Sequence, residues 1–216
     1  LVVLLALLLG IQPVTTDVYL PALPALQADL RAPMAEVQLT FAALLLAFGT
    51  SQLVWGPLSD RFGRRPILLA GMALYVLASI ACVLAPSMPA LVWARVAQGA
   101  AIGAAVMCAR AIVRDLYPPL EGARMMSRGL SGLGVIAVVC APLGGLLTDW
   151  LHWRAAMSAL VVFGAGTLVL LALRFRETIP ARNPDALAPR QLWRRWRQIA
   201  ANPTLITYSL LSTGSS

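Results

Sequence analysis

The sequence is poor in the residues from which most metal and redox sites are built. It has three cysteines and one histidine in 216 residues. The cysteines, Cys82, Cys108 and Cys140, lie far apart without the spacing of metal ligands, so they are predicted to be small apolar packing residues. No metal centre or redox cofactor is therefore expected.

The single histidine also argues against one class of enzyme. Ser131 lies in a Gly-Leu-Ser-Gly segment similar to the nucleophile motif of intramembrane serine proteases. His152 follows on nearly the same predicted helix, roughly 30 Å away, so it cannot act as the base for Ser131. The sequence also has no nucleotide-binding loop. Neither an enzyme nor an ATP-driven pump is predicted.

Charged residues are scarce, at 12%, whereas 59% of the chain is hydrophobic and the mean hydropathy is +0.78. No soluble basic domain is present to bind nucleic acid. The composition predicts an all-α integral membrane protein. Stretches long enough to cross ~30 Å of hydrocarbon predict six spans, at Leu1–Ala25, Val37–Leu58, Pro66–Ala85, Pro89–Ile112, Leu130–Leu151 and Trp153–Leu173.

These spans predict three regions along the chain. Residues 1–173 form a six-helix transmembrane bundle, residues 174–202 a linker, and residues 203–216 the start of a seventh helix too short to cross the bilayer. The chain also begins within its first span. We therefore expect an N-terminal half, built as a 3+3 inverted repeat and truncated after the start of helix seven, whose missing partner is a C-terminal six-helix half.

The linker has two parts of different character. Prolines break its first part, whereas the second places apolar residues at helical spacing with arginines between them. This pattern predicts an amphipathic helix lying on the membrane surface, which makes membrane lipid an expected partner. The apolar positions are Leu192, Trp193, Trp196, Ile199 and Ala200.

Lysine is absent, so all 17 basic residues are arginine, and the formal net charge is +8. If the first helix runs outward, the outer side receives only Arg31 and Arg154, and Arg95 lies within the membrane. The remaining arginines fall on the cytoplasmic side, as the positive-inside rule favours. The N-terminus is therefore predicted to be cytoplasmic.

Residues 56–65, Gly-Pro-Leu-Ser-Asp-Arg-Phe-Gly-Arg-Arg, lie between the second and third spans. They predict a short, stiff hairpin in which glycine allows positive φ and the aspartate pairs with arginine. This run resembles the signature loop of the major facilitator superfamily of secondary transporters. The resemblance implies a twelve-helix fold and a cytoplasmic gating loop formed by Gly56, Asp60, Arg61, Gly63, Arg64 and Arg65, with Arg114 serving the same surface.

Ionisable residues inside a membrane are costly, which makes them functional candidates. Asp17 lies ~12 Å from the outer end of the first span, and Arg95 lies ~9 Å from the outer end of the fourth. At matched depth the two can share a cavity, where hydration and a nearby cation would set the proton affinity of the carboxylate. A proton-coupled exchanger needs such a group.

Further segments narrow the resemblance. Asp17-Val-Tyr-Leu-Pro-Ala-Leu-Pro, the Val37-Gln-Leu-Thr start of the second span and Ala109-Arg-Ala-Ile-Val-Arg-Asp-Leu-Tyr resemble the bicyclomycin-resistance (Bcr/CflA) branch of drug:proton antiporters. The resemblance implies that Asp17 and Tyr19 take part in proton or substrate handling. It also implies that Arg95 and Gln98 form a fourth-helix motif.

The fifth span contains Ala141-Pro142-Leu-Gly144-Gly145, which resembles the antiporter motif of the superfamily. It departs from that motif at Ala141, where glycine is usual. Small residues here also suit close helix packing. The motif therefore supports exchange only together with the first helix.

These observations predict a proton-coupled multidrug efflux antiporter of the bacterial inner membrane that works by alternating access. The expected partners are amphipathic small molecules, protons and lipid, with the proton gradient as energy source and no cofactor. A sugar or metabolite carrier of the same fold is an alternative. A six-helix fragment without transport activity of its own is another, because one half supplies only one wall of a cavity.

Overall fold

The structure, a computed structural model, describes residues 2–179 apart from the side chains of residues 133–135 and 137. The predicted surface helix and the start of helix seven lie outside the described residues. Seven α-helices and one 3-10 turn make up the described part, which contains no strand. They are α1 (Val2–Asp17), the 3-10 turn (Leu20–Ala22), α2 (Leu23–Leu30), α3 (Met34–Phe62), α4 (Arg64–Leu84), α5 (Met88–Leu116), α6 (Pro119–Trp150) and α7 (Trp153–Arg174).

Five stretches in this part of the chain are long and apolar enough to cross a membrane. One is the continuous segment Val2–Leu30, and the others are α3, α4, α5 and α7. The predicted span Leu130–Leu151 lies in α6, a helix of 32 residues whose described apolar stretch is Val138–Trp150. All six predicted spans are therefore helical.

The first span is interrupted, although its hydropathy predicts one helix. Helix α1 ends at Asp17, and Pro21 and Pro24 stand in the first positions of the 3-10 turn and of α2. Proline lacks a backbone N–H and suits the first turn of a helix, so each proline begins a new element. Asp17 consequently lies where the backbone of the span is broken.

Helix α5 is the central helix of the bundle, packed against α1, α3 and α4. Glycine permits its closest contact, because a Cβ at Gly99 would overlap the backbone of Leu44 on α3. The other main pairs are α1 with α6 and α4 with α7. This arrangement leaves α3 largely exposed and buries Arg95 and Gln98 of α5 inside the bundle.

The two ends of the bundle differ in charge. We call one the arginine-rich end, where α3, α5 and α7 finish with Arg61, Arg114 and Arg174 in their last turns. At the other end, Asp29 accepts hydrogen bonds from Trp153 Nε1 at 2.9 Å and from the Arg154 guanidinium at 2.8 Å. This contact joins α2 to the start of α7.

Candidate functional site

Residues 56–65, which we call the signature run, are almost entirely helical. Helix α3 continues through Pro57 to Phe62, and α4 begins at Arg64, so Gly63 alone connects the two helices. Gly63 has φ of +106°, a conformation that residues with a Cβ rarely adopt. The predicted hairpin is thus a one-residue turn, and most of the run lies on the last turns of α3.

Arg64 is buried and neutralised by two carboxylates. Its side chain is 2% exposed and contacts Asp60 Oδ1 at 2.7 Å through Nη1, and Asp115 Oδ2 at 3.0 Å through Nε. Nη1 also donates to Ser59 Oγ at 2.6 Å. We call these four residues the Arg64 cluster. The cluster ties α3 and α4 to the end of α5.

Glu177, which follows α7, caps the start of α4. Its carboxylate accepts from the backbone N–H of Arg64 at 2.9 Å and of Arg65 at 3.2 Å. Burial raises the pKa of Glu177, but the hydrogen bonds from these two N–H groups and from those of Ile179 and Thr178 outweigh it, so the pKa lies below its usual value. Glu177 thereby fixes the chain after α7 to the signature run.

This cap predicts a pH dependence of stability. A lowered folded-state pKa stabilises the fold above the unfolded value of about 4.5, and the contribution is lost as the pH falls through the folded pKa. Thermal unfolding of the purified protein should therefore show a steeper acid decline for the wild type than for Glu177→Gln. Asp149→Asn, which changes an exposed carboxylate of α6, is the control. Parallel acid declines for wild type and Glu177→Gln contradict the assignment.

The remaining residues of the predicted gating loop contribute unequally. A Cβ at Gly56 would lie 3.2 Å from Met107 Cε, so Gly56 permits close packing of α3 on α5. Arg65 donates to the Ala172 carbonyl at 3.1 Å. Arg61 is exposed beside the ring of Phe62, and Arg114 is exposed on α5 outside the Arg64 cluster.

Inside the bundle, Arg95 is fully buried without a carboxylate partner among the described residues. Its Nη1 donates to Gln98 Oε1 at 2.7 Å, and its Nη2 lies 3.5 Å from Met157 Sδ. The guanidinium carbon lies 3.5 Å from the centroid of the Tyr19 ring. Its Nε has no hydrogen-bond partner. Arg95 is therefore a desolvated cation held by an amide, a thioether and an aromatic face.

Neighbouring hydroxyl groups hold the residues around Arg95 in place. The Tyr19 hydroxyl bonds to Thr40 Oγ1 on α3, and Gln98 Nε2 donates to Ser79 Oγ on α4 at 2.8 Å. We call Arg95, Tyr19, Gln98, Thr40 and Ser79 the Arg95 network. The sequence predicted three of its members, Arg95, Gln98 and Tyr19. The network joins α3, α4 and α5 to the turn after α1.

Asp17 and Arg95 were predicted to lie at matched depth, where they could share a cavity. No ion pair connects them, and the Asp17 carboxylate is half-buried and accepts from Thr16 Oγ1 at 3.2 Å. Tyr19, two residues along, contacts Arg95 instead. The backbone break after Asp17 therefore accompanies a contact between Arg95 and Tyr19 rather than an ion pair with Asp17.

The antiporter-like segment packs against this break. A Cβ at Gly144 would overlap the carbonyl oxygen of Val18, and one at Gly145 would lie 3.9 Å from Pro21 Cβ. Ala141 and Pro142 are exposed. Close packing was predicted for Ala141 and Gly145, but Gly144 makes the closest contact. The segment thus supports the backbone between Asp17 and Tyr19.

Gly144→Ala is expected to destabilise the protein. The added Cβ must push α6 away from the Val18 backbone, at a cost of about 1–3 kcal/mol. Gly166→Ala is the matched control, because a Cβ there meets nothing within 4 Å and alanine favours a helix. Thermal unfolding should show a lower Tm for Gly144→Ala and an unchanged or higher Tm for Gly166→Ala. Equal Tm values for both variants contradict the predicted overlap.

Sequence reasoning missed two carboxylates of the site. Asp115 was visible beside Arg114 but was not assigned a role, and Glu177 was not considered. The signal that points to both is a carboxylate directly after an arginine near the end of a span, since Asp115 follows Arg114 and Glu177 follows Arg176. Among residues 2–179, no group of three or more histidine, cysteine or acidic side chains is arranged to hold a metal ion.

Comparisons with known proteins agree with this geometry. The profile of the Major Facilitator Superfamily matches residues 5–216. Multidrug resistance protein D of Escherichia coli K12 is 35% identical over 85% of this chain and 47% of its own length. The chloramphenicol resistance protein of Pseudomonas aeruginosa is 34% identical over 85% of this chain and 42% of its length. The chain spans about half the length of these relatives.

Solved structures show the same fold. A proton:xylose symporter of the superfamily matches with a TM-score of 0.72 at 17% identity, over 96% of this chain and 50% of its own. A human organic anion transporter matches with a TM-score of 0.66 at 23% identity, over 93% of this chain and 55% of its own. At these identities the likeness concerns the fold alone.

The apolar helices and the buried Arg95 define this chain as part of a polytopic membrane protein. It belongs to the major facilitator superfamily. The predictions of an N-terminal half-bundle and of a transporter family rather than an enzyme are confirmed by the family profile and by relatives matched over about half of their length. The chain is a multi-pass membrane protein.

Proposed function

We propose that this chain is one half of a proton-coupled multidrug exporter of the bacterial inner membrane. The observation that carries the proposal is the 33–35% identity to three relatives named for multidrug or chloramphenicol resistance. The Arg95 network supports it, because an ionisable side chain buried inside a membrane bundle is by itself a candidate for a transport function. The arginine-rich end faces the cytoplasm in this proposal.

In the proposed cycle, Asp17 binds a proton from the outer side and releases it inside, while amphipathic cargo moves outward. Asp17 lies at the break of the first span, where a small movement changes its hydration and hence its proton affinity. The Arg64 cluster would hold the inner ends of α3, α4 and α5 together as one body. Alternating access then requires the second half of the transporter.

The whole gene product, reconstituted in liposomes containing a pH-sensitive dye, tests this function. Chloramphenicol added to the vesicles should cause proton movement, and a protonophore should abolish drug accumulation against its gradient. Drug accumulation that persists after the protonophore contradicts proton coupling. An absence of drug-induced proton movement across a panel of amphipathic drugs contradicts the multidrug exporter.

Asp17→Asn is expected to abolish drug-induced proton movement in these vesicles. Asparagine has nearly the same shape but cannot exchange a proton at neutral pH, so only the coupling should be lost. Asp149→Asn, which changes an exposed carboxylate of α6, should leave the proton signal unchanged. Normal coupling in Asp17→Asn, with chloramphenicol transport retained, removes Asp17 from the mechanism.

A further inference from the structure

A small cavity at the arginine-rich end lies in the groove between α3 and α5. Its volume is about 170 Å³. Helix α3 contributes one lining residue, Gln52. Helix α5 contributes four, which are Met107, Arg110, Ala111 and Arg114. None of them belongs to the Arg64 cluster or to the Arg95 network, so the cavity has no place in the proposed proton pathway.

The cavity carries positive charge that the described residues do not neutralise. Arg110 and Arg114 are both exposed, and within residues 2–179 neither forms an ion pair. The neighbouring carboxylate of Asp115 is held by Arg64. Residues four apart on a helix lie about 5–6 Å apart at their Cβ atoms, on one face. The two guanidinium groups can therefore reach the same ligand.

The chemistry of the lining favours an oxyanion. Guanidinium groups present planar pairs of N–H donors that match the oxygens of phosphate and carboxylate. Gln52 makes only a long bond, from Nε2 to the Phe48 carbonyl at 3.4 Å, so its amide can turn to donate to a ligand as well. Met107 and Ala111 supply apolar walls that suit the carbon part of an amphipathic anion.

The size of the cavity limits what enters it. A volume of about 170 Å³ equals that of five or six water molecules at roughly 30 Å³ each. Pockets for whole drug-sized ligands begin near 300 Å³. The cavity thus accommodates an anionic group rather than an entire cargo molecule. Arg110 lies ~9 Å along the helix from the end of α5.

We propose that Arg110, Arg114 and Gln52 form a binding subsite for a phosphate-type oxyanion. The phosphate belongs to the headgroup of an anionic phospholipid or to a soluble phosphate. In both cases the two guanidinium groups bind its oxygens. This inference is independent of the proposed drug export, because it rests only on the cavity and its charge.

Two measurements on the purified whole gene product distinguish the sources. Native mass spectrometry measures binding of phosphatidylglycerol against phosphatidylcholine. Thermal unfolding in sodium phosphate, against sodium chloride at equal ionic strength, measures binding of the soluble ion. The double variant Arg110→Gln/Arg114→Gln should lose at least about tenfold in affinity for the probe that binds, because two charge-assisted bonds are removed.

Arg124→Gln/Arg128→Gln is the matched control, since these arginines are also exposed and four residues apart, on α6, but do not line the cavity. Loss of phosphatidylglycerol binding confined to the first double variant identifies the lipid, and loss of the phosphate-dependent stabilisation identifies the soluble ion. Gln52→Leu, which keeps all charges, should weaken binding of the same probe severalfold. This variant provides the test if the double variant does not fold. No selective binding by the wild type, or equal loss in the control, overturns the proposal.

Discussion

Replacing Arg95 by methionine is expected to stabilise the protein while abolishing proton-coupled transport. The guanidinium is fully buried, has no carboxylate partner among the described residues and leaves Nε without an acceptor. A buried charge without an opposite charge beside it is costly, and replacing even a whole buried ion pair by apolar side chains of similar volume is often stabilising, by about 1–4 kcal/mol. The cation–π contact with Tyr19 and the bond to Gln98 offset part of this gain.

A rise in Tm together with loss of drug-induced proton movement would show that the Arg95 charge is retained for function at a cost in stability. Arg124→Met, at an exposed position of α6, should change the free energy of unfolding by less than about 0.5 kcal/mol and so shift Tm little. It should also leave transport intact. A marked fall in Tm for Arg95→Met contradicts this interpretation, because it would mean that the charge has a compensating partner in the complete protein.

The sequence singled out three of the five residues of the Arg95 network but not how they meet. The predicted depths of Asp17 and Arg95 depend only on counting residues along a span. The rotation of one helix against another is not contained in such counting. Two prolines end α1 early, and Tyr19 rather than Asp17 then contacts Arg95. Thr40 and Ser79 lie on other spans, and no local pattern indicated that they bond to Tyr19 and Gln98.

In the signature run, too, some features were predicted from the sequence and others were not. Its composition predicted a turn and pairing between Asp60 and arginine, and both are present. The predicted second span already passes Pro57 and ends at Leu58, but the continuation of α3 to Phe62 was not predicted. Glu177 is far along the chain from the helix it caps. Only the packing of α7 beside α4 brings that carboxylate to the turn.

Replacing Arg64 by methionine is expected to have the opposite effect on stability to the change at Arg95. Removal of the guanidinium leaves Asp60 and Asp115 without the cation that lies 2.7 Å and 3.0 Å from them. Loss of one partner of a buried ion pair costs about 3–5 kcal/mol, because the remaining charge is left uncompensated. The Ser59 hydroxyl also loses a donor.

The triple variant Arg64→Met/Asp60→Asn/Asp115→Asn tests this reason for the loss. It removes both carboxylate charges together with the cation, so it should recover part of the Tm lost in Arg64→Met, as expected for residues that form one network. Arg61→Met, on the exposed last turn of α3, should change Tm little. If the triple variant is no more stable than Arg64→Met, the Arg64 side chain acts through its packing. The charge balance at the turn between α3 and α4 would then not be what holds the inner ends of the helices together.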